Sequence, residues 1–120
     1  MSPTTYRTYT DTGETMTEQE MKLMAHNAVE RVSKVLGDVS TAEIMGRDRH
    51  FKIATARQLV YWYLFNVCKL GWSEIGRAMG KHHATIMYGE EQVSIMLERN
   101  RTKEDRRIYD AAMALREEKE

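Results

Sequence analysis

From Thr17 onward, apolar positions recur every three or four residues, the spacing that lines one face of an α-helix. Thr17 with Glu20 has capping-box spacing ahead of a stripe of Met21, Ala25, Ala28, Val32, Val35 and Leu36, and Gly37 can close the element, so a first helix is predicted. Ser40 with Glu43 repeats that spacing over a shorter stretch stopping at Gly46, which predicts a second helix of about two turns followed by a basic loop, Arg47 to Lys52. The third helix, about Thr55 to Lys69, carries Ala56, Leu59, Val60, Tyr63, Leu64 and Val67 on one stripe and must be the central packing element. Tyr61, Trp62 and Phe65 lie off that stripe, so the helix is apolar nearly all round and either buried on several sides or a contact patch. A short helix, Trp72 to Met79, ends at Gly80, and a fifth begins near His82, with an inner stripe of Ile86, Gly89, Val93 and Met96 or Leu97 and a stop at Asn100. A sixth opens at Thr102, with Glu104 and Asp105 in its first turn, and buries Ile108, Ala111, Ala112 and Leu115. Residues 1–16, rich in Thr, Ser and Tyr, show no apolar periodicity and read as a flexible tail ahead of a helical domain over 17–120. No segment reads as a strand.

Length and charge narrow the function classes. A chain of 120 residues makes one domain, and its longest apolar stretch, near Leu59 to Phe65, is too short to span a bilayer. With no secretory signal and a single cysteine, Cys68, that cannot pair internally, a reducing cytoplasm is the expected location. Net charge is zero, which by itself argues against nucleic acid, but its distribution is uneven. Residues 1–45 hold 4 basic and 7 acidic side chains, residues 46–87 hold 7 and 2, and residues 88–120 hold 7 and 9. The basic middle block, which also contains His50, His82 and His83, is a localised footprint between acidic ends.

A short helix, a glycine turn and a longer helix make a helix-turn-helix, whose second helix enters the major groove of DNA with residues near its N-terminus. On the fifth helix, Lys81, Ala84, Thr85 and Tyr88 share the side opposite the apolar stripe, with His82 and His83 at the amino end. Lysine can meet phosphate or guanine, threonine and histidine can hydrogen-bond bases or phosphates, and alanine can touch a thymine methyl. The same spacing also occurs in helical bundles that bind no DNA.

The run Ala56-Arg57-Gln58, then Glu74-Ile75-Gly76, then Gly80-Lys81-His82-His83-Ala84-Thr85-Ile86, resembles the C-terminal DNA-binding domain of the bacterial chromosomal replication initiator family, DnaA, over roughly residues 22–118. In that family the turn usually reads Gly-Arg-Asp-His-Thr-Thr-Val, so Lys81, His83 and Thr85 stand for its arginine, histidine and second threonine. The resemblance implies that Arg57 and Gln58 hold phosphates and that the loop, through Arg47, Arg49 or Lys52, reaches the adjacent minor groove or the backbone. His82 replaces an aspartate, Ala84 the first threonine and Tyr88 a later histidine, while Phe51 falls where the loop usually has a basic residue, so altered specificity is expected rather than lost binding. The expected fold is all-α, six helices of Trp-repressor-like architecture, with helices four and five as the helix-turn-helix. The expected function is sequence-specific binding of double-stranded DNA in replication initiation or its regulation. Base contacts are assigned to His82, His83, Ala84, Thr85 and Tyr88, and phosphate or minor-groove contacts to Arg47, Arg49, Lys52, Arg57, Gln58 and Lys81. No Gly-x-x-x-x-Gly-Lys-Ser/Thr loop occurs, so nucleotide binding is not expected, and the chain reads as a stand-alone copy of the DNA-binding domain.

Two other classes compete. Histidines and a cysteine are metal ligands or bases in enzymes, but neither His-x-x-x-His nor Cys-x-x-Cys occurs and adjacent helical residues diverge by about 100°, so neither catalysis, metal nor cofactor is expected. Cys68 reads as a small buried hydrophobe. A module that kept the fold but exchanged DNA for a protein partner would anchor it through exposed aromatics among Tyr61, Trp62, Phe65 and Trp72. A transcriptional regulator of a mobile element is the remaining alternative.

Overall fold

The computed structural model describes residues 5–9 and 15–118. In chain order the elements are β1 (Thr5–Tyr9), β2 (Thr15–Thr17), α1 (Glu18–Leu36), α2 (Thr41–Met45), α3 (Phe51–Asn66), α4 (Trp72–Met79), α5 (His83–Arg99) and α6 (Lys103–Glu118). Both capping boxes form: Thr17 Oγ accepts from the Glu20 N–H while Glu20 accepts from the Thr17 N–H, and Ser40 and Glu43 do the same. Gly37 ends α1 in the left-handed conformation expected of a C-terminal glycine.

Two expectations need correction. The stretch read as a tail contains a two-stranded antiparallel ribbon, β1 against β2, and Met16 within it is buried in the core. The remainder of that expectation, residues 1–4 and 10–14, lies outside the described residues. A three-residue strand that runs straight into a helix leaves too few positions for a period of two to register. The third helix begins at Phe51, four residues earlier than expected, so Phe51 and Lys52 belong to α3 and the basic loop ends at His50. His50 makes no side-chain capping bond, and that absence hides the start from a search for caps.

The helix α3 lies in the centre and packs against all five other helices. Its burial follows from its composition: six consecutive residues, Leu59 to Leu64, are buried, each large side chain contributing roughly 1.5–3 kcal/mol of apolar transfer. α1 covers it with Ala25, Ala28, Val29 and Val32, α5 with Ile86, Val93 and Met96, and α6 completes the core with Ile108, Ala112 and Leu115. Phe65 at the end of α3 stacks on Trp72 at the start of α4, ring centroids 3.6 Å apart and planes 7° from parallel. Trp62 carries the Arg116 guanidinium of α6 over its ring at 5.4 Å. The α5–α6 link is fixed by Asp105, wholly buried, which accepts from Arg99 Nε at 2.8 Å, Arg99 Nη2 at 2.7 Å and the N–H groups of Arg101 and Thr102. No helix among the described residues is long and apolar enough to cross a membrane.

Candidate nucleic-acid interface

The helix-turn-helix is built on a glycine packed against backbone. Gly76, inside α4, leaves so little room that a Cβ there would lie 2.6 Å from the Lys81 carbonyl oxygen. Gly80 then turns the chain with φ +69°, the left-handed region where a side chain is strained, and the Lys81 N–H closes on the Gly76 oxygen at 2.7 Å. His82 caps the next helix: its Nδ1 accepts from the Ala84 N–H at 3.1 Å, which requires an unprotonated Nδ1. The His82 and His83 rings lie 4.3 Å apart, tilted by 31°. Ile86, Gly89, Val93 and Met96 face inward as expected, so His82, His83, Ala84, Thr85 and Tyr88 are all exposed.

Arg47 and Arg49 of the loop, Arg57 and Tyr61 of α3, Lys81 of the α4–α5 turn and Thr85 in the first turn of α5 line one cleft. Arg57 and Tyr61 are one helical turn apart on α3 and meet Lys81 and Thr85 across the α3–α5 junction. Five positions of the expected constellation are thereby brought together: Arg47, Arg49, Arg57, Lys81 and Thr85.

Arg57 does more than supply charge. Its Nε donates to the Ile44 carbonyl at 2.8 Å, Nη1 to that of Asp48 at 3.1 Å and Nη2 to that of Glu43 at 3.0 Å. The guanidinium thus satisfies carbonyls at the C-terminal end of α2, which Gly46 leaves without a left-handed cap, and ties the loop to α3. Asp48 shapes the loop further by accepting the His50 N–H at 2.8 Å. Of the five guanidinium N–H groups, one on each Nη remains beyond these three bonds.

Other expected positions fall elsewhere. Lys52 leans away from the cleft and pairs at 3.5 Å with Asp38, which also accepts from Arg107 Nη2 at 2.6 Å. The Arg107 guanidinium, with help from Lys52, holds the Asp38 carboxyl below its ordinary range. Gln58 is half-buried, its Cγ close to Gly89 of α5. Of the aromatics considered as partner anchors, Tyr61 and Trp62 are buried, and Phe65 and Trp72 cover one another; among the described residues the most exposed aromatics are Phe51 and Tyr88, each 61% accessible. Among the described residues no three of His, Cys, Asp and Glu come together in a group that could hold a metal ion.

Sequence reasoning missed Tyr61 as part of this site, reading it as a core residue or as an anchor for a protein partner. The available signal was its place one turn after Arg57, on the side of α3 that meets α5.

A family model described as "Bacterial dnaA protein helix-turn-helix" matches residues 27–93, from the middle of α1 into α5. The chain is similar to the chromosomal replication initiator protein DnaA of Corynebacterium jeikeium, 25% identical over 99 residues that make up 82% of this chain and 16% of that protein. It therefore spans about a sixth of the length of this curated relative.

Proposed function

The chain belongs to the bacterial DnaA helix-turn-helix family, and from that premise we propose that it binds a specific sequence of duplex DNA. In this reading α5 enters the major groove, the 47–50 loop approaches the adjacent minor groove, and the role lies in replication initiation or its regulation. The observation that carries it is the cleft in which three arginines and a lysine from three separate elements meet beside the exposed start of α5. Such convergence of like charge makes a positive surface that attracts anions, and the DNA backbone is an anion with repeating sites.

Within this reading Arg47, Arg49, Arg57 and Lys81 meet phosphates or the minor groove, and Gln58 assists with its amide. His82, His83, Ala84, Thr85 and Tyr88 face base edges, with Thr85 at the boundary between the two sets. Lys52 contributes long-range attraction rather than a contact, because Asp38 already holds it. The protein acts by binding, without catalysis, a nucleotide or a metal.

A salt titration with random duplex DNA tests the first half of the proposal. Four cleft cations predict that log K falls against log salt with a slope of about −4, at about 0.9 per phosphate. Absence of salt-sensitive binding refutes DNA as the partner. Selection from a random pool tests the second half, and a pool that enriches no sequence while salt-sensitive binding persists leaves a backbone binder without specificity.

A further inference from the structure

Tyr61 is 2% exposed, and its hydroxyl is a buried side-chain polar atom with no hydrogen-bond partner among the described residues. A buried hydroxyl left unsatisfied is costly, and its retention at a surface cleft calls for a partner that arrives from outside. The ring is seated deliberately: it lies against Gly89 of α5, where a Cβ would come within 2.7 Å of the Tyr61 Cδ2. The missing side chain at position 89 is what lets the phenol occupy the inner wall of the cleft lined by Arg47, Arg49, Arg57, Lys81 and Thr85.

We propose that this cleft is a socket for a single phosphate group and that the Tyr61 hydroxyl donates a hydrogen bond to one of its oxygens. The inference deepens the DNA-binding reading and rests on it for the phosphate's source. The group must be an acceptor rather than a cation, since four positive side chains surround it. A tetrahedral phosphate suits donors that converge from several directions: the two remaining Arg57 N–H groups, the Lys81 ammonium, the Thr85 hydroxyl and the phenol. Burial pushes the Tyr61 phenol up to about 12, against the pull of Arg57, so it keeps its proton and remains a donor at any working pH. Thr85 and the loop arginines, all exposed, can turn aside to admit the oxygen.

The test is Tyr61→Phe, which keeps the ring against Gly89 and deletes only the hydroxyl. With duplex DNA the variant should bind about 3- to 10-fold more weakly on every sequence. The salt slope should not change, because a neutral hydroxyl releases no counterion. Scanning methylphosphonate along the duplex should reveal one position where neutralisation weakens the wild type and removes its advantage over the variant. A second readout needs no DNA: inorganic phosphate, compared with chloride at equal ionic strength, should raise the unfolding temperature of the wild type more than that of the variant. If the phosphate effect differs between the two proteins while neither binds DNA, the DNA reading fails and the socket stands, with free phosphate as its ligand. If DNA binding and the phosphate effect are both the same in the two proteins, or the variant binds DNA more tightly, the hydroxyl has no such role and the proposal is wrong.

Discussion

Because the Arg57 guanidinium donates to carbonyls of Glu43, Ile44 and Asp48, replacing it with alanine removes these three hydrogen bonds, leaving the Glu43 carbonyl its bond from the Gly46 N–H, and releases the loop that carries Arg47 and Arg49. Arg57→Ala should therefore lose about 1–3 kcal/mol in urea unfolding, and its salt slope for DNA should fall by more than the single unit expected of one phosphate contact. Lysine restores charge but cannot span three carbonyls, so Arg57→Lys should recover little of either quantity. A slope lower by one unit with stability unchanged would mean that the loop holds itself. Asp105 makes the second prediction at this scale. The Arg99 guanidinium, then the N–H groups of Thr102 and Arg101, hold its carboxyl far below the ordinary value of 3.8, although burial alone would raise it. A depressed folded value means that the stabilisation is complete above the unfolded pKa and is lost as pH falls through and below it. The wild type should accordingly lose stability on acidification below about pH 4. Asp105→Asn should be less stable at neutral pH and show a shallower acid loss, measured by urea unfolding at a series of pH values.

At the scale of elements, the start of α5 depends on a histidine acting as a neutral cap. His82→Ala should lower stability by about 1 kcal/mol, while His82→Asn, which also offers an acceptor to the Ala84 N–H, should restore it, as thermal unfolding at neutral pH would record. Elements with clear caps and stripes were legible from sequence: α1, α2, α4 and α5 start and stop within a residue or so of their signals, and α6 starts within one. The early start of α3 was not, because Phe51 and Lys52 follow an uncapped His50 and look like a continuation of the loop. Charge told which residues to consider for the site but not where each one points. Lys52 and Arg49 look equivalent in the sequence, and only the packing of α3 against α1 and α2 sends one to Asp38 and leaves the other at the cleft. The acceptors of Arg57 lie 9 to 14 residues earlier in the chain, a relation that no local pattern contains.

Taken as a whole, the molecule extends its core beyond the segment matched by the family model, which stops at residue 93. α6 contributes Ile108, Ala112 and Leu115, all wholly buried, and binds back to α1 and its following link through the Arg107–Asp38 pair. Leu115→Ala should cost about 2–5 kcal/mol by chemical denaturation, yet leave DNA affinity unchanged at temperatures where the variant is folded. A loss of affinity in the folded variant would show that α6 positions the helix-turn-helix as well as stabilising it. The stacked Phe65 and Trp72 add a property of another kind. The chain has two tryptophans, one under Arg116 at the α3–α6 contact and one holding α4 to the end of α3. With Trp62 replaced by phenylalanine, the remaining indole becomes an intrinsic fluorescent gauge of how α4 is seated, able to register without any label whether the half of the protein that would meet DNA loosens before the rest.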